Sequence, residues 1–352
     1  MKSAVPSTIP LSFDRLSAEL RVELDAMLRP WLAARVEHAR QSGQAVEVMA
    51  DAVRQLALRG GKRLRAILLS CAFDACGGEG GFQAVAAAAM GVELLQTYLL
   101  IHDDWMDDDE VRRGGPSVPA VMRARFPEHA DEASVLAGDL AAAWARSAFM
   151  ELTLAPSRVL EAARELARVE QSVVEGQWLD VCGVAGDPIS VEATLALKTS
   201  SYTTSGPVVI GAILAGADEE TALALHDFAN PLGVAFQLRD DLLGLFGDAT
   251  TTGKTAGSDV RKGKRTSVIL DAMRDPSAAA VLSRVMGRAD ASDSDLAHAF
   301  RMIDESGARG RCESRIATLV DQSLTALARA RVTPAGRSLL VDATTALTQR
   351  GA

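Results

Sequence analysis

Leu16, Leu20, Leu24, Leu28 and Leu32 recur every fourth residue near the start of the chain, which is the spacing of one face of an α-helix. That period predicts a helix from Phe13 to about Arg40. A break at Ser42-Gly43 leads to a second helix, from about Val46 to Leu58, and a third runs on to Cys76 before Gly77-Gly78. The next stretch has a different character. From Ala84 to Ile101 the chain is almost wholly apolar, interrupted by Glu93 and Gln96. It is long enough to cross a membrane, but those two residues and the acidic run after them fit a buried helix better. The predicted helix covers 84–106, extends outward through the aspartates and is stopped by Gly114-Gly115-Pro116. Further helices are expected over 131–153, 157–182 and 190–200, with breaks at Pro156 and Pro188. A long one runs from Glu219 to Leu245, kinked at Pro231. Residues 266–350 alternate apolar helical stretches with short breaks. No fixed-period repeat and no strand-rich block is present. The pattern is all-α, with a loose tail over 1–12 and a single domain over 13–350.

Composition agrees. Hydrophobic residues make up 48% of the 352 and aromatics only 4%, and an Ala- and Leu-rich chain poor in β-branched runs favours helices packed on helices. The formal charge of −9 argues against nucleic acid as a partner. Any phosphate ligand therefore needs local cations. Cys71, Cys76, Cys182 and Cys312 are scattered without a CxxC pair or a matching His, which reads as small buried side chains in a reducing cytoplasm. The N-terminus carries no apolar signal segment, and no transmembrane segment is expected.

Chemistry concentrates in a few places. His102-Asp-Asp-Trp-Met-Asp107 ends the apolar helix, and Arg112-Arg113 follow. On a helix Asp103 and Asp107 share a face. Two like charges there call for a cation, and oxygen ligands point to Mg²⁺ held through one or two carboxylates plus substrate phosphates. A solvated acidic helix end is the plain alternative for that stretch alone. Arg59-Gly-Gly-Lys-Arg-Leu-Arg65 sets cations beside two glycines that let backbone approach a ligand. Phe236-Gln-Leu-Arg-Asp-Asp241 is a second acidic pair delivered by an apolar helix, suggesting that the two clusters face each other across one cavity. A polar, glycine-rich stretch from Asp248 to Arg265 follows, carrying Lys254 and Lys264. There is no Ser-His-Asp set and no cysteine beside a base. Metal, carboxylates and cations opening on an apolar cavity suit the ionisation of an allylic diphosphate to a carbocation.

These motifs resemble the trans-isoprenyl diphosphate synthase (polyprenyl synthetase) family over roughly residues 45–270. The resemblance rests on Gly60-Gly-Lys-Arg-Leu-Arg65, His102-Asp-Asp-Trp-Met-Asp107 with Arg112-Arg113-Gly, Gly176-Gln-Trp-Leu-Asp180, Lys198-Thr199, Phe236-Gln-Leu-Arg-Asp-Asp241 and Gly263-Lys-Arg-Thr266, in that order. It implies an all-α bundle around a deep cavity, usually a homodimer, using three Mg²⁺ ions. Asp103, Asp104 and Asp107 would serve the metal from one cluster, and Asp240 and Asp241 from the other. Arg112, Lys198, Lys254 and Lys264 would grip the allylic diphosphate, with Gln237 as a further substrate contact. Lys62, Arg65 and Arg113 would bind isopentenyl diphosphate, with Gln96 where the family often has His. Gln177, Lys198 and the Thr199 carbonyl would steady the carbocation, and the released diphosphate itself would accept the proton.

The chain departs from the family in places. Gly244 stands where the fuller second pattern has a third Asp, with Asp248 a candidate substitute. Gly115 replaces a frequent Lys and Pro119 a frequent His. Tyr98 and Leu99, five and four residues before Asp103, are the expected floor for the growing chain. Gly91 and the alanines at 84–89 would leave room beneath it. With no insertion between Asp104 and Asp107, the pattern resembles archaeal-type geranylgeranyl (C20) synthases, with farnesyl (C15) or longer products as alternatives. A terpene cyclase would need no isopentenyl site, and a non-catalytic regulatory subunit would not need intact Asp103, Asp107 and Asp240.

Overall fold

The computed structural model describes residues 12–183, 188–247 and 257–349. It is helical nearly throughout, as the periodicity predicts. The helices are α1 (Phe13–Ser42), α2 (Gln44–Leu58), α3 (Leu64–Ala75), α4 (Gly81–Met106), α5 (Val118–Arg125), α6 (Ala130–Phe149), α7 (Pro156–Val181), α8 (Pro188–Leu195), α9 (Gly206–Ala215) and α10 (Glu219–Phe246). After them come α11 (Ser258–Arg261), α12 (Ser267–Ala272), α13 (Pro276–Val285), α14 (Asp293–Glu305), α15 (Ala308–Arg329) and α16 (Pro334–Thr348). The chain forms two compact units.

One unit comprises the described parts of Met1–Ala167, with Pro207–Glu219 and Arg331–Leu340. Here the leucine stripe of α1 does what its spacing predicts: Leu20, Leu24, Leu28 and Leu32 are buried. Ser12, the last residue of the expected tail, caps α1 through its side chain, which accepts from the Arg15 amide; the rest of the tail lies outside the described residues. By length and composition α4 is apolar enough to span a membrane, yet most of it is buried within the protein. It packs along α6 and against α3. This packing overturns one expectation. Gly91 leaves no room for a ligand, because a Cβ there would lie 2.4 Å from the Phe149 ring of α6. Ala86, Ala88 and Ala89 are likewise buried. Small residues on α4 serve close helix packing.

α4 ends at Met106, as the 84–106 reading expects, but its cap is Asp107 and the glycines at 114 and 115 are not what stops it. Asp is a poor helix former, and a carboxylate at a helix C-terminus opposes the macrodipole. Beyond it, Val111–Arg112 pairs antiparallel with Gly115–Pro116 as strands β1 and β2. The two residues between them, Arg113 and Gly114, both have positive φ (51° and 72°). That is the two-residue hairpin turn whose twist matches paired strands.

The second unit comprises the described parts of Arg168–Gly206, Glu220–Ala330 and Val341–Ala352. Its core gathers Leu238, Leu242 and Leu245 of α10 with Ile269, Leu282, Leu296, Ile303 and Ile316 of the later helices. The expected break after residue 200 is absent. Ala196–Ser205 is instead a π-helix joining α8 to α9. α10 continues through Pro231 as one element. The carbonyls beside that proline are taken by neighbours: Ser200 Oγ donates to Asn230 O at 2.7 Å and Ser323 Oγ to Phe228 O at 2.6 Å.

Candidate active site

In the first unit, the last turn of α4 presents the acidic cluster. Gln96, Leu99, Leu100 and Asp103 are half-buried on the same helix, and Asp107 is exposed at its cap. Residues 96, 99, 100, 103 and 107 follow a helical face by spacing, so that face carries the predicted second-diphosphate contact, the predicted floor and the predicted metal ligands. Tyr98 lies off it. Its ring stacks edge-on against His102, with centroids 4.8 Å apart. His102 in turn meets the Val135 carbonyl at 3.0 Å, in a space that Gly138 keeps clear: a Cβ there would fall 2.2 Å from the imidazole.

The three aspartates of the motif are not alike. Asp104 is fully buried, and Arg112 Nε donates to its Oδ1 at 2.6 Å. Its Oδ2 is buried with no hydrogen-bond partner among the described residues. Burial pushes the Asp104 carboxyl up to about 6; Arg112 opposes this, and Asp109 and Asp103 add to it. Arg112 also reaches Asp109, at 3.3 Å. Thus Asp104, predicted as a metal ligand, is engaged with Arg112, predicted as a diphosphate ligand. Asp103 and Asp107 remain more accessible. Among the described residues no group of three or more acidic, His or Cys side chains converges into a metal cage; Asp103 and Asp107, one turn apart at the helix end, suit a hard divalent cation that draws the rest of its shell from water and phosphate.

The basic turn before α3 lies in the same unit. Arg65 is buried and donates from Nη1 to Gln96 Oε1 at 2.9 Å, so two predicted isopentenyl contacts meet. Arg113 is brought to the same place. Its Nη1 donates to the Gly60 carbonyl at 2.8 Å, and a Cβ on Gly61 would lie 3.3 Å from the guanidinium carbon. Gly60 and Gly61 both have positive φ, which together with this close approach explains why glycine is needed here. Burial pulls the Arg113 guanidinium below its ordinary value; Glu93 opposes the shift, and Arg63, Arg65 and Arg112 reinforce it. Guanidiniums gathered beside two glycines suit an anion such as a diphosphate. Lys62 is exposed at its edge.

Sequence reasoning missed the supports of this pocket. Arg63 is not one more surface cation but turns inward, 3% exposed, against Asp25, Glu93 and the Ala57 carbonyl. An acid inside the apolar run, Glu93, was the available signal, because a buried carboxylate needs a cation. Arg59 donates to the carbonyls of Arg112 and Pro116. A Cβ on Gly115 would lie 2.8 Å from its guanidinium carbon. Where the resemblance expects a lysine at 115, Arg59 therefore fills the space with a cation of its own. Pro119 is buried in the first turn of α5.

In the second unit, Lys198 and Thr199 sit within the π-helix, Lys198 half-buried and Thr199 buried. π-Turns in proteins cluster at functional positions. Lys198 Nζ donates to the Asp180 carboxylate of α7, so the Gly176–Asp180 and Lys198-Thr199 motifs form one assembly. Gln177 is half-buried on α7 in the same motif. Two glycines bring the helices together here. A Cβ on Gly176 would fall 2.3 Å from the Lys198 amide nitrogen, and one on Gly233 of α10 would fall 2.2 Å from Thr204 Oγ1. Asp240 is half-buried and Asp241 buried on α10, and Gln237 Nε2 donates to Asp241 Oδ1 at 2.9 Å. Lys264 is exposed. Lys254 and Asp248 lie outside the described residues.

An all-helical scaffold that couples an acidic helix end to a cluster of buried guanidiniums defines a diphosphate-handling enzyme. The comparisons place it more narrowly. Residues 46–303 match the polyprenyl synthetase family. A geranylgeranyl diphosphate synthase of Methanosarcina mazei is 32% identical over 263 residues, covering 74% of this chain and 77% of the relative. A geranylfarnesyl diphosphate synthase of Natronomonas pharaonis is 34% identical, covering 75% and 79%. Among solved structures, geranylgeranyl pyrophosphate synthase from Corynebacterium glutamicum, complexed with isoprenyl diphosphate and magnesium, superposes with a TM-score of 0.87 at 30% identity. That alignment covers 97% of this chain and all of that one. The chain belongs to the polyprenyl synthetase family, and its activity is that of an isoprenyl diphosphate synthase, a transferase.

Proposed function

We propose that this enzyme condenses isopentenyl diphosphate head-to-tail with an allylic diphosphate to yield geranylgeranyl diphosphate. One observation carries the reading. Arg65, bonded to Gln96, and Arg113, bonded to the Gly60 carbonyl, gather cations beside Gly60-Gly61. A condensing enzyme must hold two diphosphates, one of them without metal, and this pocket suits the second. A cyclase has no use for it.

Mg²⁺, three ions in this reading, would be held by Asp103, Asp107 and Asp240 and would neutralise the departing diphosphate. The remaining work falls to the chain. Arg112, fixed by Asp104 and Asp109, presents a planar donor to phosphate oxygens. The Thr199 carbonyl, held by the π-turn, would stabilise positive charge, and the Lys198 ammonium would grip the allylic diphosphate and so orient the allylic group. Apolar side chains along α4 exclude water that would quench a carbocation. No residue is assigned as base, because the departing diphosphate accepts the proton.

The M. mazei and C. glutamicum relatives support a C20 product. Leu99 shares the helical face of Asp103, whereas Tyr98, the other predicted floor residue, turns to His102, so the floor is assigned to Leu99. Leu99→Ala is expected to shift the product ladder to longer chains, read by chromatography after labelled elongation; an unchanged ladder would leave a lower residue as the stop.

The enzyme is a homodimer in this reading. Val174, Trp178 and Val181 are exposed at helical spacing on α7, Trp178 at 65%, and a solvent-facing apolar stripe with tryptophan suits a protein interface. Trp178→Glu should yield a monomer by size-exclusion chromatography with light scattering. A dimer that survives it would place the interface elsewhere. Cys71, Cys76, Cys182 and Cys312 are all free, which suits the expected cytoplasmic setting.

A further inference from the structure

Among the six residues of the Gly60–Arg65 turn, one is built in a way that ligand binding does not require. Arg63 adopts a left-handed conformation, φ 50° and ψ 31°, at the N-cap of α3. Its carbonyl accepts the first helical hydrogen bond, from Ile67 N at 3.1 Å. Its guanidinium is buried and spends its donors on three elements. It reaches Asp25 Oδ1 of α1 at 2.8 Å, Glu93 Oε2 of α4 at 3.2 Å and Ala57 O of α2 at 2.8 Å. Its neighbours on either side, Lys62 and Arg65, are predicted ligands. Glu93, itself buried, meets Arg63 through Oε2, while its Oε1 is buried with no hydrogen-bond partner among the described residues.

We propose that Arg63 and Glu93 are positioning residues for the isopentenyl diphosphate pocket: Arg63 anchors the turn from beneath and never meets the ligand, while Glu93 pairs with the buried Arg63 guanidinium and fixes it against α4. A left-handed non-glycine residue persists only where its surroundings over-determine it, and here three helices do so. Freed of that anchor, the turn relaxes toward ordinary backbone, and Lys62 and Arg65 lose their common aim. The inference rests on the proposed assignment of the pocket to isopentenyl diphosphate.

The test measures KM for each substrate, kcat and melting temperature for the full-length enzyme carrying Arg63→Lys, Glu93→Gln or, as reference, Arg65→Ala. Lysine keeps the charge but not the fork of donors; glutamine keeps shape and loses charge. For both positioning variants we expect the isopentenyl KM to rise about tenfold, with allylic KM and kcat changed less than about twofold. Reference Arg65→Ala should raise the same KM. If Arg63→Lys and Glu93→Gln lower melting temperature but leave isopentenyl KM unchanged, or alter both KM values alike, the positioning role is overturned. If Arg65→Ala leaves isopentenyl KM unchanged while both positioning variants raise it, the pocket assignment fails.

Discussion

Asp103→Asn is expected to lower turnover by about a hundredfold or more while leaving the melting temperature within about 2 °C of wild type. Asp103 is half-buried in the last turn of α4, so the substitution removes no core atoms. Its backbone carbonyl still accepts from the Asp107 amide at 2.9 Å, which preserves the end of the helix. A carboxylate near a helix C-terminus opposes the macrodipole, so a neutral amide there is neutral or mildly favourable to folding. What disappears is one charged oxygen ligand at the acidic end of α4. The contrast is Asp104→Asn. Asp104 is fully buried and ion-paired with Arg112, so that change should cost stability as well as activity. Steady-state kinetics beside thermal unfolding separates the two. Equal losses of stability at 103 and 104 would mean that the cluster is structural.

Gly176→Ala is the smallest substitution expected to do large damage. The added methyl would sit 2.3 Å from the Lys198 amide nitrogen and 2.7 Å from its Cα. Those are backbone atoms of a π-helix, not the tip of a mobile side chain, so α7 or the π-turn has to move. Overpacking of that kind costs about 1–3 kcal/mol. The functional loss should be larger than the stability loss, because Lys198 and Thr199 ride on the displaced backbone and misplacement by about an ångström can cost a hundredfold in rate. A variant with lowered melting temperature and normal kcat would detach the π-turn from catalysis. Gly310→Ala is the control. This glycine also lies within a helix, α15, and an added Cβ would meet nothing within 4 Å, so the same change there brings no collision.

Much of the architecture was legible because burial imposes a period. The α1 leucines and the apolar run of α4 announce their helices, and the order of acidic and basic motifs announces the chemistry. The hairpin after Asp107 was not legible. Its turn depends on positive φ at Arg113, and nothing in a side-chain pattern marks an arginine for that conformation. The π-helix was missed because Lys198–Gly206 is almost wholly polar, so no apolar period marks it and it reads as a break. Gly91 was misread as free space because a glycine that admits a ligand and one that admits Phe149 look the same in one dimension. Arg63 shows the same limit. Lys62, Arg63 and Arg65 appear equivalent until Asp25 and Glu93, distant in sequence, claim Arg63.

The most direct measurement incubates the enzyme and Mg²⁺ with radiolabelled isopentenyl diphosphate and, in turn, dimethylallyl, geranyl or farnesyl diphosphate, with parallel reactions in chelator. The account predicts labelled products that end at geranylgeranyl diphosphate and vanish when the metal is sequestered. No elongation with any of the three allylic partners would contradict it.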